Sequence, residues 1–126
     1  MTAPGPDPAE GGRSDDPWTI ERHRGRASTF HARPLPEPFG RGVWAFEVDG
    51  PAVVLGSTQA VAAVDAVRAQ RAGVEVARRR SGGGAVWLAP GEVTWVDVLV
   101  PATDPLANHD VSRAALWLGE VWVRTL

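Results

Sequence analysis

The 126-residue sequence contains no cysteine. That excludes disulfides, thiolate metal sites and cysteine nucleophiles. Lysine is absent too, because all 13 basic residues are arginine. Chemistry that needs a lysine ammonium or a Schiff base cannot be completed by these residues alone. No apolar run approaches the roughly 18 residues of a membrane span. The first residues, MTAPGPDPAEGGRSDD, hold no large apolar side chain after Met1, so no signal-peptide core is visible. A cytoplasmic protein without membrane contact is expected. The formal net charge is -2, which argues against binding a polyanion through bulk charge, so no nucleic acid partner is expected.

Hydrophobic residues make up 44% of the chain, enough for a core, and the length suggests one domain. Residues 1–42 read as a disordered tail and a Pro-rich arm. Arg22, Arg24 and Arg26 alternate there with His23, Gly25 and Ala27, and Pro34, Pro36 and Pro38 stiffen the rest of the arm. Order is expected over 43–126. Val43–Val48 and Ala52–Leu55 read as a hairpin around Asp49-Gly50-Pro51. A helix is expected next, over about 59–71, capped by Ser57 or Thr58 and stopped at Gly73. Strands are expected at 74–79, 85–89 and 92–100, the last central and covered on both faces. Its Asp97 would be buried and need an arginine or backbone partner. Asp110 caps a final helix over 111–125 with an apolar stripe of Val111, Ala114, Ala115, Leu118 and Trp122. The three histidines, His23, His31 and His109, show no metal spacing and read as surface residues. The fold class is α+β, with a mixed, mostly antiparallel sheet and helices on one face.

The strongest local signal is Arg78-Arg79-Arg80-Ser81-Gly82-Gly83-Gly84-Ala85-Val86. Three glycines between two strands carry an entropic cost. Backbone without side chains lets a ligand approach and turns N–H groups toward an anion, and the arginines add bidentate donors. The plainer alternative is a flexible loop with solvated arginines. The run is neither a Walker loop nor a Rossmann fingerprint.

VARRRSGGGAV, residues 76–86, resembles the signature of the lipoate–protein ligase family, within the biotin/lipoate ligase group. Val53-Val54-Leu55-Gly56 followed by Gln59 resembles the strand and turn that precede it in that family. The resemblance covers about 44–100 and weakens through the last helix. It implies a class II synthetase-like catalytic domain, present in part. It also implies a reaction: ATP activates lipoate to an acyl-adenylate, with Mg2+ accompanying the ATP, and the acyl group passes to a lysine of a lipoyl carrier domain. The carrier would be that of a 2-oxoacid dehydrogenase or a glycine cleavage protein. No tightly bound cofactor and no protein-held metal are implied.

By motif position, Arg79 would meet the adenylate phosphate or the substrate carboxylate. Ser81 and the backbone of Gly82, Gly83 and Gly84 would line the acyl-adenylate, and small Gly84 and Ala85 would leave it room. Gln59, Arg78 and Trp87 are further candidates, and Arg80 is a weaker one. Val54, Trp87 and Trp95 are candidate walls for the acyl chain, or ordinary core. The sequence departs from the pattern in three places. The His-Asp-x-Gly-Asn continuation reads Leu88-Ala89-Pro90-Gly91-Glu92, keeping only the glycine. The family's first helix has no evident counterpart before Val43. The family's active-site lysine, further along, is missing, so no catalytic residue is assigned. The alternatives are an accessory module that binds acyl-adenylate without catalysis, one part of a split ligase completed by a complementary C-terminal chain, or an octanoyl transferase-like or biotin ligase-like relative.

Overall fold

A computed structural model of the protein describes residues 17–126. The expected disorder of residues 1–16 lies outside them. Two three-stranded sheets form an α+β fold. In the first, β1 (Thr19–Gly25) lies parallel to β2 (Gly42–Val48), and β2 pairs antiparallel with β6 (Trp95–Leu99). In the second, β3 (Ala52–Leu55) lies between parallel β4 (Glu75–Arg78) and antiparallel β5 (Val86–Leu88). Parallel and antiparallel pairs are therefore equally represented among the described residues.

The expected hairpin does not form. β2 and β3 belong to different sheets, because the connection bonds elsewhere. The Asp49 N–H donates to the Gly25 carbonyl at the end of β1, and the Glu75 N–H donates to the Pro51 carbonyl. Pro51 has no N–H to give a neighbouring strand. Its neighbour Gly50 lacks the positive φ that a tight two-residue hairpin turn demands.

The arm expected over 18–41 is also corrected. It holds β1 and the helix α1 (Ala27–Ala32), whose Ala27 and Phe30 are buried. Arg26, at the N-cap, gives α1 no side-chain cap. The carboxylate of Glu75 does so across the fold, accepting from the N–H groups of Ala27 at 3.1 Å and Ser28 at 2.9 Å. Burial alone would raise Glu75. The Ser28 bonds, the Arg26 charge and the Ala27 N–H outweigh it and hold the carboxyl below its ordinary value.

Phe30 packs against both Phe46 and Trp95, with ring centroids 4.6 and 5.6 Å away, and those two rings are themselves 5.0 Å apart. These rings join Trp44, Val48, Ala52, Val54, Ala77, Leu88 and Leu99 in one core. Leu55 and Val54 of β3 are the largest fully buried side chains. β6 is shorter than expected and sits at a sheet edge. Asp97 is exposed, not buried, and accepts a 3.1 Å bond from Trp95 Nε1. Trp95 and Leu99 face the core, whereas Val98 and Val100 face α3 (Val111–Thr125) across an apolar cavity of about 580 Å³, and Val96 faces the same helix across one of about 390 Å³. Where one helical face was expected, α1 and α3 lie on opposite faces of this sheet. α3 does begin at Asp110, whose side chain accepts from Ser112 and Arg113 N–H, but none of its residues is buried. No helix among the described residues is long and apolar enough to cross a membrane.

One buried ion pair fastens the loop after β6 to the start of β2. Arg41 donates to both carboxylate oxygens of Asp104, Nε at 2.7 Å and an Nη at 2.8 Å. Asp104 also accepts the Leu106 N–H at 2.9 Å. The Arg41 bonds are the main reason the Asp104 carboxyl lies below its ordinary value, against the opposing pull of desolvation. A lowered native pKa means the unfolded chain takes up the proton first. The pair's stabilisation is complete above the ordinary carboxylate range and fades as pH falls from there through the native value. Asp104→Asn is expected to lower the urea midpoint at neutral pH and flatten its fall below about pH 4. An unchanged midpoint in urea titrations would show that the pair carries no stability.

Candidate functional site

The glycine run lies where β4 leaves the second sheet and β5 enters it, above the end of β3. Residues 57–59 are committed to supporting it. The Gly56 N–H donates to Gln59 Oε1 at 2.9 Å, and the Ser57 N–H donates to the Ser81 carbonyl at 2.9 Å. These bonds explain why the expected helix over 59–71 starts late. A 3-10 turn covers Val61–Ala63, and the helix α2 is only Ala66–Arg71. Asp65, not Ser57 or Thr58, caps it, accepting from Val67 and Arg68 N–H.

Two arginines build the loop from below. One Nη of Arg78 donates to the carbonyls of Gly56, Ser57 and Gln59 at 3.0, 3.2 and 2.7 Å. Arg79 crosses to the other side. One Nη donates to Gly82 and Gly84 carbonyls at 2.9 and 2.8 Å, and the second reaches the Val54 carbonyl at 3.4 Å. The Arg79 N–H also continues the sheet by donating to the Leu55 carbonyl. In this structure, then, the guanidinium expected to meet an anion holds the loop's own carbonyls.

That arrangement orients the amides. In a planar trans peptide, N–H and C=O point in opposite directions. Carbonyls of Gly82 and Gly84 aimed at Arg79 therefore turn the Gly83 and Ala85 N–H groups away from it. None of the N–H groups of Gly82, Gly83 or Gly84 donates to a protein acceptor among the described residues. The whole run from Arg80 to Ala85 is exposed. The result is a row of unspent donors on a loop whose Ser81, Gly82 and Gly84 carbonyls are already engaged, with cationic Arg79 behind it.

The glycines divide into two kinds. A Cβ at Gly56 would run into the Gly83 carbonyl, and Gly83 has φ +104° with Arg79 beside it. Folding alone requires both. Gly82 and Gly84 have no positive φ, and a Cβ on either would meet nothing within 4 Å. The contacts of the folded chain give no reason for glycine at either position.

The other candidates scatter. Gln59 spends its side-chain oxygen on Gly56 and its backbone carbonyl on Arg78. The Ser81 hydroxyl is exposed and without a partner among the described residues. Arg80 is exposed, and Trp87 on β5 is half exposed. Val54 is core, and Trp95 packs against the core. Two histidines read as surface residues are half-buried instead. His23 stacks on Phe46 at 5.6 Å and shares Glu21 with Arg33. His31 lies on Trp95 with centroids 4.5 Å apart. Their rank in a strand and a helix was hidden because the arm was read as irregular. No group of three metal-ligating side chains occurs among the described residues.

Gly56→Ala is expected to destabilise the fold by about 1–3 kcal/mol through the collision with Gly83. Gly82→Ala should stay within about 0.5 kcal/mol of the parent. Urea unfolding of the two variants checks the contrast, and equal losses would show that the loop does not rest on Gly56.

No curated protein matches the sequence. Among solved structures, protein Ta0514 from T. acidophilum, described as a "putative lipoate protein ligase", is similar with a TM-score of 0.47 and 22% identity, over 59% of this chain and 33% of that one. The chain thus spans about a third of that protein's length. The family model described as the lipoyl protein ligase A/B catalytic domain matches residues 37–126. That match takes in β2 through α3 and the whole glycine loop with both of its arginine supports, and by it the chain belongs to the lipoyl protein ligase A/B catalytic domain family.

Proposed function

We propose that the chain binds an acyl-adenylate on the glycine loop, as part of a ligase that activates lipoate or a similar acyl acid with ATP. In the first step a carboxylate oxygen attacks the α-phosphorus of ATP. The new O–P bond forms as the bond to pyrophosphate breaks. In the second, the amine of a lysine on a lipoyl carrier domain attacks the acyl carbon, AMP leaves with the C–O pair, and the amine gives up a proton.

The first step joins two anions, so it is limited by charge and alignment, which fixed donors relieve. The Gly83 and Ala85 N–H groups would receive the phosphate or carboxylate oxygens. Arg79 would neutralise charge from behind while keeping the loop's shape. Mg2+ would arrive with the nucleotide and help neutralise its phosphates. The observation that carries this reading is the loop's polarity: carbonyls bound inward to Arg79, N–H groups outward, and open space over Gly82 and Gly84.

The missing lysine favours a second reading. The 126 residues contain none, so the cation that the family resemblance implies across from the loop would come from polypeptide outside them. On this reading the chain holds the adenylate but depends on a complementary segment for turnover.

Calorimetric titration with a non-hydrolysable lipoyl-sulfamate of adenosine tests the cradle. Gly84→Ala is expected to keep the parent's urea midpoint yet bind at least tenfold more weakly. Arg79→Ala should lose binding altogether. Parental affinity in Gly84→Ala would move the site off the loop. ATP–pyrophosphate exchange by the chain alone would show that the lysine is dispensable, and sink the second reading.

A further inference from the structure

The helix α3 has two apolar faces, and one of them turns away from the rest of the fold. Ala114, Leu118 and Trp122 line the cavities between the helix and β6. Ser112, Leu116, Gly119 and Val123 follow the i, i+4, i+7, i+11 spacing of a second stripe. They line a groove of about 820 Å³ formed by α3 residues alone. Its apolar ridges are open to solvent, with Leu116 68% and Val123 74% exposed. Contiguous exposed apolar surface of this kind marks an interface.

The groove is complementary to itself. Leu116 and Val123 form ridges, and Gly119 lies between them as a gap where a Cβ would meet nothing within 4 Å. Glu120 and Arg124 run along one rim with opposite charge, and neither has an ion-pair partner among the described residues. A second copy can lie antiparallel on this face, about a two-fold axis that passes between Val121 and Trp122. Glu120 then stands opposite Arg124 of the second copy, Gly119 opposite its Val123, and Leu116 opposite its exposed Leu126. At the helical rise, the members of each pair differ in height by only about 1.5 Å. The two-fold axis repeats each contact and keeps both ion pairs on the same rim. A parallel arrangement would put the charged rims on opposite sides. Sliding the copies one turn toward their N-termini would set Glu120 against Glu120. We infer that α3 docks on α3 of a second copy of this chain, as an antiparallel homodimer closed by Glu120–Arg124 pairs. Burial of the ridges drives the association, and the charges choose its register. One helix face is smaller than a standard interface, so dissociation in the micromolar range is expected. The glycine loop lies on the other sheet, so this inference stands apart from the acyl-adenylate reading.

Sedimentation equilibrium of the full chain, from low to high micromolar concentration, tests the dimer. The 13.4 kDa chain is expected to approach twice its mass and stop there. Glu120→Arg and Arg124→Glu should each weaken self-association by about tenfold or more, because each sets like charges together. Mixing the two variants should restore association at the parent's strength, since each then supplies the charge that the other lacks. A parent that stays monomeric would overturn the inference and leave the face to a different polypeptide. Growth beyond the dimer, single variants that associate like the parent, or a mixture that does not recover would overturn it too. If the charge variants do not fold, cysteine placement decides, because the chain has no cysteine of its own. Under mild oxidation Val123→Cys, beside the axis, should form a disulfide-linked dimer, and Ser112→Cys, far from it, should not. Equal yields from the two would refute the antiparallel register.

Discussion

Arg78 and Arg79 leave β4 side by side, and because alternate residues of a strand point to opposite faces, their guanidinium groups go opposite ways. One gathers the carbonyls of 56, 57 and 59; the other gathers those of 54, 82 and 84. Three backbone stretches that would otherwise expose carbonyls at the end of a short sheet are drawn onto two planar cations. A guanidinium suits this because it presents several donors in a fixed plane. The turn at 56–59, the late start of α2, the contact of Gly56 with Gly83 and the outward amides of the glycine run all depend on it.

The second sheet is small, with strands of three or four residues, so its stability comes from packing on the first. α1 joins the two. Glu75 fixes its start to β4, and Phe30 enters the aromatic layer of β2 and β6. The same short helix presents His31 on Trp95. The first sheet in turn is fastened by Arg41 and Asp104, a buried bidentate pair whose bonds satisfy both charges.

Much of the local structure was legible. The strand at 75–78, the strand at 86–88 and the helix after Asp110 stand where hydrophobic period and capping chemistry place them. The glycine run also announced itself, since consecutive glycines between strands need a positional reason. Period 2 was present at Arg22-His23-Arg24 as well, where exposed arginines alternate with a half-buried ring, but the nearby prolines suggested an irregular arm. The expected helix over 59–71 failed for a different reason. Ser57 and Gln59 look like ordinary cap and helix residues until the Ser81 carbonyl and the Gly56 amide claim them.

By itself the sequence determined which segments extend and which coil, that no lysine or thiol chemistry belongs to these residues, and that residues 78–86 form an arginine-flanked glycine loop. Those properties rest on local propensity and composition. Pairing was decided by tertiary structure: β2 and β3 in separate sheets, Glu75 as the cap of a helix 48 residues earlier, Asp104 as the partner of Arg41. It also decided what Arg79 touches and what surrounds His31. A carbonyl or carboxylate has no preferred partner in sequence; burial, which makes every unpaired polar group costly, selects the one that the fold brings near.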